Sequence, residues 1–474
     1  MKLRSLAMAS LTAVLVTLSL PLAAQAGTAQ APASVSVQKP PSTSNTRCTS
    51  AESGTIRHCV RVQQLPLTKL TPAQRTERAT MIRTRLGTTN APLHASAAAP
   101  ATTILPAPQC NFTPLGGGVT SFTANPDRFT SCADTYWLIT NVVTVDDVTT
   151  VSTFNFEDLQ WTSYSATSST WLHGMATIGY EGGTNDLADG FTGLLSSNCT
   201  IAGAGVCTAT SLNAPDPQAV DITPGSVTYY AWAETDDGLS ATTADEETIL
   251  DFTLGVVWNV LSIDPPTEAI DVPFGQADGP TTGLVGRCDT MATSTDGCVN
   301  EDFTPTLSLP VTQYGASAAM IQWAQDNLSG AWGLQSSGQP LYRLANDSDA
   351  RANRRVICNT RNFVNFGPFI GGDYGDRDSC DEYPFAGTYE SGALNGVTNG
   401  RQCAQVIAVE GNPGAKTEAL AWNDVAVIGS FSASAACVRG HIPLKLNSGV
   451  GGAYGNLVQS QRLIDSDPFW VSVS

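Results

Sequence analysis

Residues 376–386 have the sequence Asp-Arg-Asp-Ser-Cys-Asp-Glu-Tyr-Pro-Phe-Ala, which places four carboxylates and one guanidinium in seven consecutive positions. Clustered carboxylates repel one another unless a cation lies among them or water solvates them fully. Pro384 argues against a helix interior, so we expect Asp381 and Glu382 to leave the backbone in different directions. These residues alone leave two alternatives open, a solvated acidic loop and a metal-assisted site.

The segments around this acidic stretch mix helix and strand patterns. Residues 316–327 have the small and apolar composition of a helix, and residues 454–463 predict a second one. Residues 405–409 and 425–428 are short apolar runs that predict strands. We therefore expect residues 303–474 to form one α+β domain.

The acidic stretch resembles the Asp-Arg-Asp-Glu-aromatic-Pro-x-Ala signature of the NucA/NucB family of secreted bacterial deoxyribonucleases. The resemblance is confined to residues 303–474. Further segments there are similar to the family's motifs and follow in its order, namely Tyr314-Gly315 before the first helix, the basic stretch 346–355, Val438-Arg439, Asn447-Ser448-Gly449 and Gly455-Asn456.

The resemblance implies a fold similar to the ββα-metal nucleases, in which a strand presents the general base and the following helix presents a ligand to one divalent cation. Carried over to this chain, it makes Asp381 the base, with Glu382 beside it. It places Asn456 on the metal side together with Glu382, and adds Arg439 to the catalytic group. The oxygen ligands favour Mg²⁺, Mn²⁺ or Ca²⁺ over zinc or copper.

The remaining candidates have two interpretations each. His441 is either an assisting catalytic base, because histidine titrates near neutral pH, or a structural or surface histidine. Five cationic or amide side chains either bind the substrate or are ordinary surface groups. They are Arg354, Arg355, Arg377, Lys445 and Asn447.

Residues 107–275 predict an acidic, antiparallel β-sandwich. Strand-forming runs rich in Thr, Val, Tyr, Trp and Phe alternate there with Gly, Asp, Asn and Pro clusters. Residues 107–304 contain 26 Asp and Glu residues but only 2 Arg and no Lys, so this part of the chain should repel nucleic acid. The Gly- and Thr-rich segment 276–302 predicts a linker to the C-terminal domain.

The first residues predict export from the cell. Lys2 and Arg4 precede an apolar run that ends at Leu22, and the small residues of the following Ala-Gln-Ala motif complete a signal peptide over residues 1–26. Residues 27–106 predict a leader or propeptide that is mostly disordered, with a short basic helix over 72–86. No later apolar run is long enough to span a membrane, and we expect a monomer.

Twelve cysteines follow the predicted signal peptide, an even number in a chain bound for an oxidising compartment. We therefore expect disulfides. Cys199–Cys207 and Cys288–Cys298 are the two pairs predicted, because their cysteines are close enough in sequence to close small loops. Cys380 is expected in a disulfide rather than as a nucleophile, and the spacings lack a Cys/His zinc pattern.

The sequence thus predicts a secreted metal-dependent endonuclease that hydrolyses the phosphodiester bonds of extracellular DNA. The alternative is a cell-surface or matrix-binding protein, in which the β-sandwich is the functional part and the nuclease-like domain is inactive.

Overall fold

The structure is a computed structural model. It describes residues 44–50, 56–65, 110, 121–180, 191–201, 207–212, 218–223, 226–236, 249–263, 272–275, 284–292, 295–359, 363–365, 369, 377–411 and 418–474. The described residues form sheets in the first two thirds of the chain and a mixture of sheet and helix in the last third. No helix among them is long and apolar enough to cross a membrane.

The first sheet has eight antiparallel strands, in the order β1-β2-β4-β5-β6-β10-β8 with β3 paired to β4. Its long central strands, β4 and β5, are joined by a two-residue turn at Asp146 and Asp147, both of which have positive φ. Its strands are β1 (Ser44–Ser50), β2 (Ile56–Leu65), β3 (Ser121–Asp127), β4 (Thr130–Val145), β5 (Val148–Ser165), β6 (Ser168–Gly179), β8 (Cys207–Ser211) and β10 (Val227–Asp236).

The second sheet has six strands, in the order β14-β13-β11-β7-β9 with β12 paired to β11. One apolar cluster contains Phe156 and Trp232 from the first sheet and Phe191, Leu195 and Ile222 from the second, so the two sheets share a core. The strands are β7 (Phe191–Ile201), β9 (Gln218–Ile222), β11 (Ile249–Ile263), β12 (Val272–Gly275), β13 (Leu284–Asp289) and β14 (Gly297–Val299). We refer to residues 44–299 as the β-rich region.

The β-rich region extends beyond the predicted sandwich at both ends. Residues 44–50 and 56–65, expected in a mostly disordered leader, form β1 and β2, and β2 pairs with β4 along its whole length. Residues 284–289 and 297–299, expected in a linker, form β13 and β14 of the second sheet. Both segments are poor in local strand signals, and their pairing partners lie far away in sequence. The predicted helix over 72–86 lies outside the described residues.

The C-terminal region, residues 303–474, is α+β as predicted, with two small sheets and three α-helices among its described residues. The sheets have the strand orders β15-β21-β16 and β17-β20-β18-β19. The elements are β15 (Thr306–Leu309), α1 (Val311–Asn327), β16 (Leu341–Tyr342), α2 (Asp347–Ile357), β17 (Asp378–Tyr383), β18 (Ala404–Glu410), β19 (Trp422–Val427), β20 (Val438–Pro443), α3 (Leu444–Ser460) and β21 (Pro468–Val473).

Two of these helices differ in extent from their predictions. Helix α1 contains the predicted 316–327 but begins five residues earlier, with a kink at Gly315, where φ is +50°. Helix α3 begins ten residues before the predicted 454–463, directly after β20. Its apolar residues Leu446, Val450 and Leu457 pack into the core, and this packing outweighs the low helix propensity of its four glycines.

A buried junction of three arginines and two aspartates joins the β-rich region to the C-terminal region. Asp467 accepts from Arg128 Nη2 at 2.7 Å and from Arg287 Nη1 at 2.8 Å. In the opposite direction, Arg462 Nη2 donates to Asp289 Oδ1 at 2.7 Å. Because breaking one partner of a buried ion pair is costly, these contacts hold the two regions in a fixed arrangement.

Five disulfides lie among the described residues. Cys288–Cys298 is confirmed, and Cys380 is confirmed in a disulfide, with Cys358. The side chains of Cys199 and Cys207 lie outside the described residues, so that pairing stays a prediction. The other three disulfides are Cys48–Cys59, Cys110–Cys132 and Cys403–Cys437.

Candidate active site

The acidic stretch forms strand β17, at the edge of its sheet, rather than a loop. It pairs antiparallel with β20, so that Asp381 lies opposite Gly440 and Glu382 lies opposite Arg439. Successive residues of a strand point to opposite faces of the sheet. Because β17 is an edge strand, both carboxyl groups nevertheless reach the space beyond that edge.

This space is a cavity of about 510 Å³ between α2 and α3. Its volume is within the range of ordinary ligand sites. Asp381 and Glu382 line it from β17, Arg354 from α2 and Asn447 from α3. Four residues that the sequence singled out for chemistry thus meet in one place.

Asp381 is buried and held by two hydrogen bonds. Ser317 Oγ of α1 donates to its Oδ2 at 2.5 Å, and the backbone N–H of Glu382 donates to its Oδ1 at 3.0 Å. Burial raises the pKa of Asp381 to about 6, while Ser317, Arg354 and the backbone hydrogen bond oppose the shift. A carboxyl with a pKa near 6 is suited to accept a proton at neutral pH.

Glu382 lies between a guanidinium and a disulfide. Its Oε1 is 4.0 Å from Arg354 Nε, and its Oε2 is 3.0 Å from Cys358 Sγ. Burial raises the pKa of Glu382 to about 8, with Arg354 opposing the shift and Asp381 adding to it. The closeness of Cys358, Cys380 and Glu382 does not make a metal site, because the two sulfurs are bonded to each other and offer no thiolate.

The disulfide also positions helix α2. Asn346 caps the start of α2 by accepting from the backbone N–H groups of Ser348 and Asp349. Cys358, the residue that ends the helix, is bonded to Cys380 of β17, one residue before Asp381. The helix is therefore fixed at the end that carries Arg354, whose Nη2 donates to the backbone carbonyl of Cys380 at 3.2 Å.

Asn447 presents an amide oxygen to the cavity. Its Nδ2 donates to Ser379 Oγ at 3.1 Å and to the backbone carbonyl of Cys380 at 2.9 Å, which uses both amide hydrogens. The carbonyl end of the amide is then the end available to a ligand. The sequence placed Asn447 among the substrate-binding residues rather than among the metal ligands.

The structure does not bring Asn456, the predicted metal ligand, to the carboxyl groups. Asn456 is exposed and is not among the cavity-lining residues. It follows Asn447 by nine positions, which is two and a half helical turns, so the two side chains leave α3 on opposite sides. The residues that line the cavity from this helix, including Asn447, Gly451 and Tyr454, follow the spacing of a single face.

Arg439 and His441 lie on the face of the sheet opposite Asp381, away from the cavity lining. His441 Nδ1 is 2.8 Å from Asp378 Oδ2, and its ring stacks on Phe363 with the ring centroids 4.2 Å apart. Arg439 Nε donates to Gln405 Oε1 at 2.8 Å. Both are almost fully buried and satisfied by protein groups, which favours the structural interpretation of His441 and moves Arg439 out of the catalytic group.

The cations at the cavity differ in part from those predicted. Arg354 lines it as expected, whereas Arg355, Arg377 and Lys445 are exposed and are not among the lining residues. Arg343 and Arg351 also line the cavity, although neither is among the predicted substrate-binding residues. The three-residue spacing of Arg351 and Arg354 on one helix was the available signal.

The cavity lining contains oxygen donors of the kind that hold a hard divalent cation. Glu382 offers a carboxylate and Asn447 an amide oxygen, with the carboxyl of Asp381 beside them. Burial disfavours the charged forms of both acids, and a cation among them would favour those forms. Oxygen donors of this kind suit Mg²⁺, Mn²⁺ or Ca²⁺, and the described lining residues include no thiolate or imidazole for zinc.

No family model matches the chain, and no curated protein or solved structure is similar enough to it to be matched. The chemistry proposed for the cavity therefore rests on its lining residues and on the motif resemblance.

Proposed function

We propose that this chain is an exported, metal-dependent endonuclease that hydrolyses phosphodiester bonds in extracellular DNA. The observation that carries the proposal is the convergence of Asp381, Glu382, Arg354 and Asn447 on one cavity. This hydrolysis needs a carboxylate that accepts a proton, a guanidinium that pairs with phosphate, and oxygen donors for a hard cation.

The local topology supports a ββα-metal type of site. Strands β17 and β20 are antiparallel, and α3 begins at the residue after β20 ends. In this arrangement the strand carries the proposed base, Asp381, and the helix carries an amide, Asn447. The amide comes from the first turn of α3 rather than from the position that the family resemblance implied.

The residues have separable roles in the proposed reaction. Asp381 accepts the proton of the attacking water, while Ser317 and the backbone N–H of Glu382 hold its carboxyl in place. Arg354 neutralises charge on the phosphate oxygens. Glu382 and Asn447 would hold the cation, which would stabilise the negative charge that builds up on the phosphoryl oxygens and on the leaving oxygen.

Attraction for a polyanion depends on a local patch, because the chain as a whole carries a net charge of −18. Arg343, Arg351 and Arg354 line the cavity and supply positive charge, but Asp347, Asp381 and Glu382 line it too, so a bound cation is needed to make the site net positive. The disulfides suit an oxidising compartment, in agreement with the export signal that the first residues predict.

The proposal is tested by incubating the purified protein with supercoiled plasmid in Mg²⁺, Mn²⁺ or Ca²⁺, with and without EDTA. We expect nicking that EDTA abolishes. Plasmid that stays intact in all three metals would refute the proposal and would favour the alternative, a surface or matrix-binding protein with an inactive C-terminal region. Parallel assays with single-stranded DNA and RNA define the preferred polynucleotide.

A further inference from the structure

The β-rich region forms part of the wall of the cavity. Ala292, in the loop that follows β13, lines the cavity together with residues of α2 and α3. The two charged residues of β17 lie at the opposite end. The β-rich region, whose net negative charge should repel DNA, is thus in direct contact with the proposed active site.

This part of the loop is held in place by Asp289. Its Oδ1 accepts from the backbone N–H groups of Met291 at 3.2 Å and Ala292 at 3.0 Å. The same oxygen accepts from Arg462 Nη2 at 2.7 Å, and Arg462 lies two residues beyond the end of α3. One buried carboxylate therefore positions the loop against the C-terminal end of α3.

The cavity follows α3 over most of its length. Asn447, beside the carboxyl groups, and Gln459, near the loop, both line it. Their separation of twelve residues corresponds to about 18 Å along a helix axis. This length exceeds what a single phosphate group needs, so the cavity has room for a neighbouring part of a nucleic-acid strand.

The two ends of the cavity differ in chemistry. The end at Asn447 carries the two acids, whereas Tyr454, Val458 and Ala292 give the other end an aromatic and apolar wall, with the guanidinium of Arg343 close to Tyr454. Gly455 adds space there, because a Cβ atom at this position would have no atom within 4 Å. A nucleobase suits this end, because bases stack on aromatic rings and on guanidinium groups.

We propose that Ala292 forms part of the wall of a subsite for a nucleoside that flanks the cleaved phosphate. The β-rich region then determines how a polynucleotide is bound, although its overall charge repels DNA. This inference rests on the proposed function and extends it to a second region of the chain.

Two substitutions in the full-length protein each reduce the space at the end of the cavity near Ala292. Ala292→Trp fills this end from the loop. Gly455→Leu fills it from α3 and raises helix propensity, so that variant is expected to fold even if the first does not. The matched controls are Met291→Trp in the same loop and Gly452→Leu on the same helix, because neither residue is among those that line the cavity.

Binding of a fluorescein-labelled single-stranded oligodeoxynucleotide is measured by anisotropy in EDTA. Hydrolysis of bis(4-nitrophenyl) phosphate, which needs only the charged end, is measured in Mg²⁺. We expect both cavity variants to weaken oligonucleotide binding about tenfold while hydrolysis of the small substrate stays within about twofold of the wild type. The control variants should leave both quantities unchanged.

Oligonucleotide binding that neither cavity variant weakens would overturn the subsite, as would equal losses in the controls or a wild-type chain that binds no oligonucleotide. Failure of the proposed function has a different result. A wild-type protein that hydrolyses neither plasmid nor the small phosphodiester in any of the three metals is not the proposed enzyme, whatever the binding experiment shows.

Discussion

The β-rich region and the C-terminal region both bury carboxyl groups, but they surround them differently. In the first sheet, Asp158 accepts from Trp137 Nε1 at 2.9 Å, and Glu234 accepts from Trp171 Nε1 at 2.7 Å. These acids are enclosed between the sheets. In the C-terminal region, Asp381 and Glu382 are also buried, yet they line an open cavity that contains guanidinium groups.

The difference shows that a raised pKa does not by itself identify a site. Burial raises the pKa of both Asp158 and Asp381 to about 6. Asp381 combines this shift with a place in a cavity lining, a nearby arginine and an oxygen donor on a neighbouring helix, whereas Asp158 is hydrogen-bonded to Trp137 inside the β-rich region. We therefore expect Asp158 to affect stability and Asp381 to affect catalysis, and substitutions at the two positions test this division.

The largest expected effect is that of Asp381→Asn. This substitution removes the proposed base, so plasmid nicking should fall by a factor on the order of 10²–10⁴. Thermal stability should change little, because the amide accepts only one of the two hydrogen bonds from Ser317 and Glu382 but removes the cost of a buried charge. Initial rates in Mg²⁺ and a thermal melt measure the two quantities, and near-normal turnover would exclude Asp381 as the base.

The next effect is on stability in the β-rich region. The pKa of Asp158 is raised by burial to about 6 in the folded protein, so its protonated form stabilises the fold at low pH. This contribution is lost as the pH rises through 6, and it amounts to at most about 3 kcal/mol at 1.36 kcal/mol per pKa unit.

Asp158→Asn should therefore increase the free energy of unfolding at pH 8 and leave it little changed near pH 4, with nicking activity unaffected. Urea denaturation at the two pH values measures the gain. A variant that is destabilised at pH 8, or that loses activity, would contradict the division between the two regions.

Arg354→Gln should reduce nicking about tenfold, because it removes a charged contact with phosphate that is partly screened by solvent. Arg355→Gln is the matched control, since the neighbouring arginine is exposed and is not among the residues that line the cavity. The ratio of kcat/KM for the two variants is the measurement. Equal losses would show that general surface charge, and not the position of Arg354, attracts the substrate.

The smallest effect on activity is expected for His441→Ala, at less than about tenfold, because the ring pairs with Asp378 on the face of the sheet away from Asp381. The variant should lose stability instead, since it removes a partner of a buried carboxylate. A hundredfold loss of nicking in a stably folded variant would return His441 to the catalytic group.

Local patterns predicted the elements whose signals are local. The helix over 316–327 and the strands over 405–409 and 425–428 are present in α1, β18 and β19. The acidic stretch was not recognised as a strand from composition, because polar residues and Pro384 argue for a loop. Its pairing with β20, more than 50 residues later in the chain, determines its conformation.

The candidate site could also be predicted only in part. Asp381 and Glu382 stand out as a charge cluster, but their roles, like the choice of Asn456, come from the family resemblance, and motif order carries no information on helical phase. The extension of α3 back to residue 444 puts Asn447 on the correct face, and glycines in this segment concealed the helix.

Arg128 and Arg287 are a sequence signal for the junction between the two regions. They are the only two cations among residues 107–304, and both are buried against Asp467 of the C-terminal region. An isolated cation in a strongly acidic segment is a candidate for a buried partner, and here both such residues join the two regions.

The buried arginine–aspartate junction limits how this protein can recombine during evolution. A chain cut at residue 303 would leave the guanidinium of Arg462 without Asp289 and the carboxylate of Asp467 without either arginine. The C-terminal region is therefore not an independently transferable domain. Any ancestor or descendant that acquired it by gene shuffling would have needed the β13–β14 hairpin as well, and truncated versions are expected to be insoluble when expressed alone.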